Sequence, residues 1–138
     1  MQPVAFSLEF RGYSTALSPG VVTARASAPG GQLTRNGGEA LLERRLTFLN
    51  ETSFEEGGTI SFGDGNALRF RSVGLGTIGP SPQAGLRQGT AACVIDGGSG
   101  LFAGAAGRIV SNFLISADGE LTDHQLGLVF LDTTKEEA

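Results

Sequence analysis

Residues 97–107 read GGSGLFAGAAG, and this glycine-rich stretch decides the fold. It follows the apolar run AACVID and precedes RIVSNFLIS. Two readings compete: a cradle for a nucleotide phosphate, or a corner that turns one β-strand into the next. The cradle reading has Gly98-x-Gly100-x-x-Ala103, a variant of the dinucleotide fingerprint, but it needs a helix of about ten residues immediately afterwards. Gly107 would interrupt that helix after one turn, and β-branched residues follow, so the corner is favoured.

The corner reading gives a structural role to five glycines and one aromatic residue: Gly97, Gly98, Gly100, Gly104, Gly107 and Phe102. Strands that bend sharply to close a small barrel need residues without a Cβ atom at the bend. Phe102 stands alone among small residues. We therefore expect its ring to plug one end of the barrel.

Most of the remaining chain alternates with a period of two, as half-buried strands do. In residues 5–12, AFSLEFRG, the phenylalanines and leucine share one face. The Asp-Gly pair within residues 63–66 predicts a tight hairpin turn, and ADGE at 117–120 predicts another turn before a final strand, LTDHQLGLVFLD. The segment TIGPSPQAGL, residues 77–86, is predicted to be a loop.

The segment at residues 39–51 fits two structures. EALLERRLTFLNE has leucines at helical spacing and is rich in good helix formers. Its alternate residues, Leu42, Arg44, Leu46, Phe48 and Asn50, also form one face of a strand. The strand is favoured because the β-strands predicted after residue 51 would gain a neighbouring strand to pair with.

Length and composition limit the class of protein. The 138 residues include 22 glycines, and 40% of the chain is hydrophobic, which suits one β-rich domain over residues 1–132 with a charged, frayed tail at 133–138. A net charge of −4 argues against nucleic acid as a partner. A single cysteine, Cys93, excludes an internal disulfide, and no His/Cys cluster predicts a metal site. With no long apolar run and no leader-like start, we expect a cytoplasmic protein without a membrane partner.

The segment IDGGSGLFAGAAGRIVSNFLIS, residues 95–116, resembles the G-G-T-G-x-F-x-G-A-x-G signature of the allene oxide cyclase and dirigent-protein barrel superfamily. Its flanks resemble small bacterial proteins of the same group. The likeness covers the C-terminal two thirds of the chain. It implies a closed antiparallel β-barrel of about eight strands that needs no cofactor and assembles as a homo-oligomer, a dimer or trimer.

The resemblance implies a cyclase or isomerase that folds a small hydrophobic metabolite, derived from a polyketide, a fatty acid or a phenol, inside the barrel. Such a cavity holds a reactive substrate in one near-attack conformer while a few polar groups bind the charge that develops. Two other hypotheses stay open: a non-catalytic barrel that binds a hydrophobic ligand, and an interaction module with a filled barrel. Related bacterial barrels cyclise polyketides by cycloaddition, and their pockets are expected to contain a Trp and several Tyr. This chain has no Trp and one Tyr.

Candidate site residues are polar groups on apolar strand faces. If their faces point inward, the amides of Asn112 and Gln125 can bind a substrate carbonyl. His124 is a candidate general acid or base, and Arg69 a candidate cation in the cavity. Each also has a structural reading: the amides satisfy backbone groups, His124 is structural, and Arg69 faces solvent or a subunit interface.

Two more residues have a functional and a structural reading. Cys93 lies between small apolar residues, which indicates a buried, inert thiol. Tyr13 follows the first apolar strand and is placed at the barrel mouth, where its hydroxyl would reach a ligand; the alternative is an ordinary tyrosine at the rim.

Overall fold

The computed structural model describes residues 1–34 and 37–132, and nearly all of this part of the chain is β-strand. The strands, in chain order, are β1 (Gln2–Ser18), β2 (Val21–Pro29), β3 (Glu39–Phe48), β4 (Ser53–Ser61), β5 (Ala67–Ser72), β6 (Gly76–Pro80), β7 (Leu86–Ser99), β8 (Ala106–Ser116) and β9 (Glu120–Leu131). Two short 3₁₀ turns, Gly31–Leu33 and Gly100–Phe102, precede β3 and β8. The tail at 133–138 lies outside the described residues.

The strands form a closed antiparallel β-barrel, as the sequence predicts. Apart from β5 and β6, strands that are neighbours in the chain pair with each other, and β1 pairs with β9 from Gln2↔Leu131 to Tyr13↔Glu120, which joins the first strand to the last. β5 and β6 lie end to end, and both pair with β4 on one side and β7 on the other. Together they fill one position, so eight strands surround the interior. Closure pairs most of the strand edges among the described residues, whereas residues 2–10 of β1 have a ladder partner on the β9 side only.

Two sequence predictions meet different outcomes here. Residues 39–48 form a strand, so the strand reading of EALLERRLTFLNE is confirmed, and Arg44 pairs directly with Ala24 of β2. The loop predicted at 77–86 is partly wrong, because its first residues belong to β6. Proline is tolerated at the end of that strand because it only removes a donor from the last ladder position.

The glycine-rich stretch is a corner, as predicted. β7 ends at Ser99, one 3₁₀ turn follows, and β8 begins at Ala106, so no long helix starts near Leu101. Gly100 has a φ of 60°, and a Cβ atom there would overlap the side chain of Asn66. Phe102 is fully buried and packs on Phe62 with ring centroids 5.1 Å apart. The corner and this aromatic pair close one end of the barrel, here called the plugged end.

The interior is built from aromatic rings set against glycines. Three inward-facing phenylalanines each pair with an inward-facing glycine of the next strand: Phe6 with Gly127, Phe54 with Gly76, and Phe113 with Gly89. A Cβ atom at any of the three glycines would overlap the ring of its partner. The glycines therefore make room for large rings inside a narrow barrel, where larger side chains on both partners would not fit.

The opposite end of the barrel is here called the mouth end. It carries the connections at residues 19–20, 49–52, 81–85 and 117–119. A depression of about 790 Å³ lies there, with half-buried Val22 and Phe48 among its lining and Leu17 and Leu49 exposed at its rim. Arg87 also lines it. No helix within the described ranges is long and apolar enough to cross a lipid bilayer.

Candidate functional site

Several strands send polar side chains into the apolar interior, where they meet. This group, here called the interior cluster, consists of Arg44, Glu56, Cys93, Ser111, Asp123 and Gln125. The side chains of Arg44, Glu56 and Asp123 are between 0% and 1% exposed. Charged groups are almost never buried to this degree unless they are paired.

Asp123 is the centre of the hydrogen bonds in the interior cluster. Arg44 Nη1 donates to Asp123 Oδ2 at 2.9 Å, and Gln125 Nε2 donates to the same oxygen at 2.9 Å. Ser111 Oγ donates to Asp123 Oδ1 at 2.7 Å and also accepts from Arg44 Nη1 at 3.2 Å. The carboxylate therefore fixes the guanidinium across the barrel, from β3 to β8 and β9. A buried ion pair of this kind is favourable only when such additional bonds support it.

Glu56 occupies the other side of the interior cluster. Its Oε1 accepts a hydrogen bond from Cys93 Sγ at 3.3 Å, and its Oε2 lies 3.4 Å from Arg44 Nη1 without a hydrogen bond. Burial raises the pKa of Glu56 above its ordinary value, although Arg44 and the Cys93 thiol oppose that rise. Arg44 is already engaged by Asp123, so a second ionised carboxyl would lack a matching charge. Glu56 is thus a buried acid held in its protonated form over a wider pH range than usual.

Cys93 is buried, as the sequence predicts for a structural thiol. Burial raises the pKa of the Cys93 thiol, and the adjacent Glu56 carboxyl raises it further. Only the thiolate is a good nucleophile. Cys93 therefore serves here as a weak hydrogen-bond donor to Glu56.

Four polar atoms of the interior cluster are buried without a hydrogen-bond partner: Arg44 Nε, Arg44 Nη2, Glu56 Oε2 and Gln125 Oε1. Most buried polar atoms in native proteins have a partner, because leaving one unpaired costs about 1–3 kcal/mol. Four such atoms within a single cluster mean that several of its hydrogen-bond donors and acceptors are not used by the protein itself.

Aromatic rings separate the interior cluster from the mouth end. The guanidinium of Arg44 lies 4.5 Å from the centroid of the Phe113 ring. Phe113 packs edge-on against Phe54 at 5.8 Å, and Phe54 packs against Phe48 at 5.6 Å. Phe48 reaches the depression at the mouth. These three rings form a continuous path from the mouth to Arg44.

The residues chosen from the sequence fall on both sides of the barrel wall. Gln125 points inward and belongs to the interior cluster, as predicted for an inward face. Asn112 does not: it is exposed on the outer wall, and the expectation that its face points inward is wrong. The reason is that both faces of β8 are apolar, and closure of the barrel places Ile109, Ser111 and Phe113 inside instead.

His124 and Arg69 also lie on the outer wall. His124 pairs with Asn112 in the ladder, and its Nε2 lies 4.0 Å from Glu9 Oε1. Arg69 Nη2 donates a hydrogen bond to the carbonyl oxygen of Asp96 at 3.1 Å, and this side chain is exposed to solvent. Of the two readings of Arg69, the one that faces solvent or an interface holds, and the candidate cation in the cavity does not. Tyr13 is exposed on β1 opposite Glu120, beside the 117–119 connection of the mouth end, which fits the alternative of an ordinary tyrosine at the rim.

Asn112 and His124 share an outer groove with two threonines. Thr77, Thr90, Asn112 and His124 are successive partners across β6, β7, β8 and β9, and they line a depression of about 540 Å³. Gly79 and Gly89 also line it. The interior cluster residues of β7, β8 and β9 lie on the opposite face of these strands, and Phe113, which contacts Arg44, also lines the groove.

Sequence reasoning missed most of the interior cluster. Arg44, Glu56, Ser111 and Asp123 each interrupt an apolar alternating face, as in Leu42-x-Arg44-x-Leu46 and Leu121-x-Asp123. That pattern was visible in the sequence. A polar residue in the middle of an inward face signals a site only after the inward face is known.

The interior cluster is the best candidate site on geometric grounds. Within residues 1–34 and 37–132, no group of three or more His, Cys, Asp or Glu side chains is arranged to hold a metal ion. The interior cluster combines the Arg44 guanidinium with two carboxyl groups, and burial raises the pKa of one of them, Glu56. The chain matches no protein-family model, no curated protein and no solved structure.

Proposed function

We propose that the protein is a cofactor-independent cyclase or isomerase that acts on a small hydrophobic metabolite inside the barrel. One observation carries the proposal: Arg44, Glu56 and Asp123 converge deep in an apolar interior. A few polar groups that meet inside a low-dielectric enclosure are what such catalysis needs.

Each member of the interior cluster has a chemical role in this proposal. The Arg44 guanidinium stabilises negative charge that develops on a substrate oxygen, because N–H donors are effective where water is excluded. Glu56, a buried acid with a raised pKa, delivers a proton to that oxygen or to a neighbouring atom and takes a proton back from the substrate as the product forms, so the acid is restored and the mass is unchanged. Asp123 is a positioning residue, because it holds the guanidinium without using its Nε and Nη2 atoms. The surrounding rings hold the substrate folded in a near-attack conformer.

Substrate reaches the interior cluster from the mouth end in this proposal. Arg44 lies four residues from Phe48 along β3, roughly 13 Å at the rise of a β-strand. The ring of Phe48 stands between the mouth depression and Phe54. A rotamer change of this half-buried side chain opens the outer part of the path, and the rings of Phe54 and Phe113 must also move before a substrate reaches Arg44, whereas the plugged end is sealed by Phe102.

The two alternatives are less well supported. A carrier of hydrophobic ligands needs one polar group near the mouth, and the polar groups here lie deep in the barrel. An interaction module with a filled barrel would gain nothing from four unpaired buried polar atoms, each of which costs stability.

Conversion without a change of mass tests the proposal. Protein without added cofactor is incubated with an epoxide of an unsaturated fatty acid, a polyene diketone and a phenolic alkene, and products of unchanged mass are separated by chromatography. We expect conversion of at least one class, reduced about a hundredfold in Glu56→Gln. Asn112→Ala, on the outer wall, is the matched control and keeps wild-type conversion. Equal conversion by Glu56→Gln would overturn the proposal, and binding without conversion would favour the carrier.

An apolar strip on the outer wall supports the expected homo-oligomer. Val110, Leu126, Leu128 and Phe130 are between 36% and 62% exposed and lie side by side on β8 and β9. Exposed apolar side chains that adjoin one another mark association surfaces. We propose that a second copy of this barrel covers the strip, in a cytoplasmic dimer or trimer.

A further inference from the structure

The unpaired atoms of the interior cluster describe the group that would complete it. Arg44 Nη1 uses both of its hydrogens, on Asp123 and Ser111. Nε and Nη2, the two nitrogens without partners, carry the hydrogens of the guanidinium's other edge. Two N–H groups on one edge form a fork with fixed spacing, suited to a single oxygen or an oxygen pair.

The strand that pairs with Arg44 carries small side chains on its inner face. Arg44 pairs directly with Ala24 of β2, and the inward-facing residues of that strand are Ala24, Ala26 and Ala28. No other strand of the barrel carries three alanines on its inner face. These alanines occupy less of the barrel interior beside Arg44 than larger apolar side chains would.

Gln125 supplies the opposite hydrogen-bonding type. Its Nε2 donates to the Asp123 oxygen that also accepts from Arg44, so Gln125 and the guanidinium lie within two hydrogen-bond lengths of each other. Because that oxygen is an acceptor, the amide nitrogen must face it, and Oε1 is left free. The interior cluster thus offers two unused donors on Arg44 and one unused acceptor on Gln125.

The charges of the interior cluster decide what kind of oxygen fits the fork. Arg44 Nη1 is hydrogen-bonded to the carboxyl group of Asp123. The carboxyl group of Glu56 lies 3.4 Å from the same Nη1 atom. A ligand carboxylate would add a further negative charge to an enclosure with one cation, and burying an unmatched charge is costly. An uncharged carbonyl oxygen accepts from the fork without that cost.

We propose that the substrate presents an uncharged hydroxy-carbonyl group to the interior cluster, with its carbonyl oxygen on Nε and Nη2 of Arg44 and its hydroxyl donating to Oε1 of Gln125. The inference rests on the proposed function for its site and goes beyond it by naming the substrate class. β-Hydroxy ketones, enolised diketones and phenolic ketones belong to this class, and simple hydrocarbons and free fatty acids do not.

Three small probes test the class on the wild-type protein. Diacetone alcohol is an uncharged β-hydroxy ketone, methyl isobutyl ketone lacks its hydroxyl, and β-hydroxyisovalerate carries a carboxylate in place of the ketone. Binding is followed by shifts of the backbone amide resonances of Ala24 and Ser111. We expect diacetone alcohol to bind about tenfold more tightly than methyl isobutyl ketone, which reflects one hydrogen bond in a buried site. β-Hydroxyisovalerate is expected to bind most weakly.

Two variants assign the contacts. Arg44→Lys keeps the positive charge beside Asp123 but removes the fork, so both ketones are expected to bind about tenfold more weakly while the preference for the hydroxyl remains. Gln125→Met keeps the side-chain length but removes the acceptor, so the two ketones are expected to bind equally. Each variant is first shown to have the dispersed amide spectrum of the wild type. The wild-type probe series decides the question if either variant fails to fold.

Three results would overturn the substrate class: tightest binding by β-hydroxyisovalerate, equal binding of the two ketones to the wild type, or no shift of the interior amides with any probe. Different results would contradict the substrate class and the proposed function. Conversion in the mass-neutral assay with no preference among the probes removes the class alone. The expected probe preferences without any conversion remove catalysis and leave a carrier for hydroxy-carbonyl compounds.

Discussion

The guanidinium of Arg44 is enclosed by apolar side chains and is held from one side, through Nη1 alone. Its nearest carboxylate, Asp123, lies 79 residues away in the sequence. Neither charge could be buried without the other. The pair is therefore a structural requirement for the barrel as well as the centre of the candidate site.

Removing one charge of this pair is expected to destabilise the barrel strongly. Arg44→Met leaves the Asp123 carboxylate buried without a cation, which costs about 3–5 kcal/mol. Denaturant unfolding measures the loss. The double variant Arg44→Met with Asp123→Asn is the control, because it removes both charges and should recover part of the stability. Wild-type stability in Arg44→Met would show that the ion pair does not hold the interior together.

Glu56 gives the stability of the protein a specific pH dependence. A carboxyl whose pKa is raised in the folded state stabilises the fold below its unfolded value of 4.5, and that contribution is lost as the pH rises through the folded pKa. Glu56→Gln removes this titration. We expect the wild type to lose stability relative to Glu56→Gln as the pH rises, by about 1.4 kcal/mol for each unit of the shift. Urea unfolding at a series of pH values checks this, and parallel curves would contradict it.

The Cys93 thiol is expected to be inert in the folded protein. It is buried, and its pKa is raised by burial and by Glu56, so little thiolate forms and reagents have no access. A thiol-specific chromogenic reagent should react within the dead time in denaturant and only at the rate of unfolding in its absence. Fast labelling of the native protein would show that the interior is open to solvent.

In three pairs of neighbouring strands, a phenylalanine ring on one strand packs against a glycine on the other. The pair of β7 and β8, Gly89 and Phe113, has a second consequence, because the Phe113 ring also lies against Arg44. A shift of this ring would carry into the interior cluster. The spacing of two neighbouring strands thus sets the position of a charged group.

A matched pair of glycine substitutions tests this coupling. Gly89→Ala places a methyl group in the Phe113 ring, and we expect it to cost about 1–3 kcal/mol, as overpacking does. Gly79→Ala, on the outer face of neighbouring β6, meets no atom within 4 Å and should be neutral or stabilising. Thermal unfolding of the two variants gives the comparison. Equal stabilities would mean that Phe113 has room to move.

The barrel as a whole has a sealed end, a mouth and an apolar strip on its outside. The strip on β8 and β9 lies on the same strands as Ser111, Asp123 and Gln125, whose side chains point the opposite way. Association through this wall would therefore stiffen the strands that carry half of the interior cluster. Assembly and site are connected through the two faces of one pair of strands.

Charge placed on the strip is expected to break the assembly. Leu126→Arg introduces a cation where a second copy is proposed to pack, so sedimentation velocity should show the variant as a monomer and the wild type as a dimer or trimer. Leu75→Arg is the control, because Leu75 is similarly exposed but lies between β5 and β6. A monomeric wild type, or dissociation by both variants, would remove the strip as the interface.

The sequence by itself determined the strands, their turns and the glycine corner, and the closed barrel was what the resemblance of residues 95–116 implied. Alternation along each strand, the Asp-Gly turns and the glycine corner with Phe102 are local features, and local geometry is sufficient to fix them. Even the ambiguous residues 39–51 followed from context, since a neighbouring strand needed a partner.

Only the tertiary structure decided which face of each strand lies inside. On β8, Ser111 and Asn112 both interrupt apolar alternations, and a period of two treats them alike. Closure of the barrel turned Ser111 inward with Gln125 and left Asn112 outside with His124. Arg44 and Asp123 lie on strands that are far apart in the chain. A local sequence pattern cannot predict that these two side chains meet. The physical reason is that strand pairing is local, whereas the convergence of side chains inside a barrel depends on the whole circuit of strands.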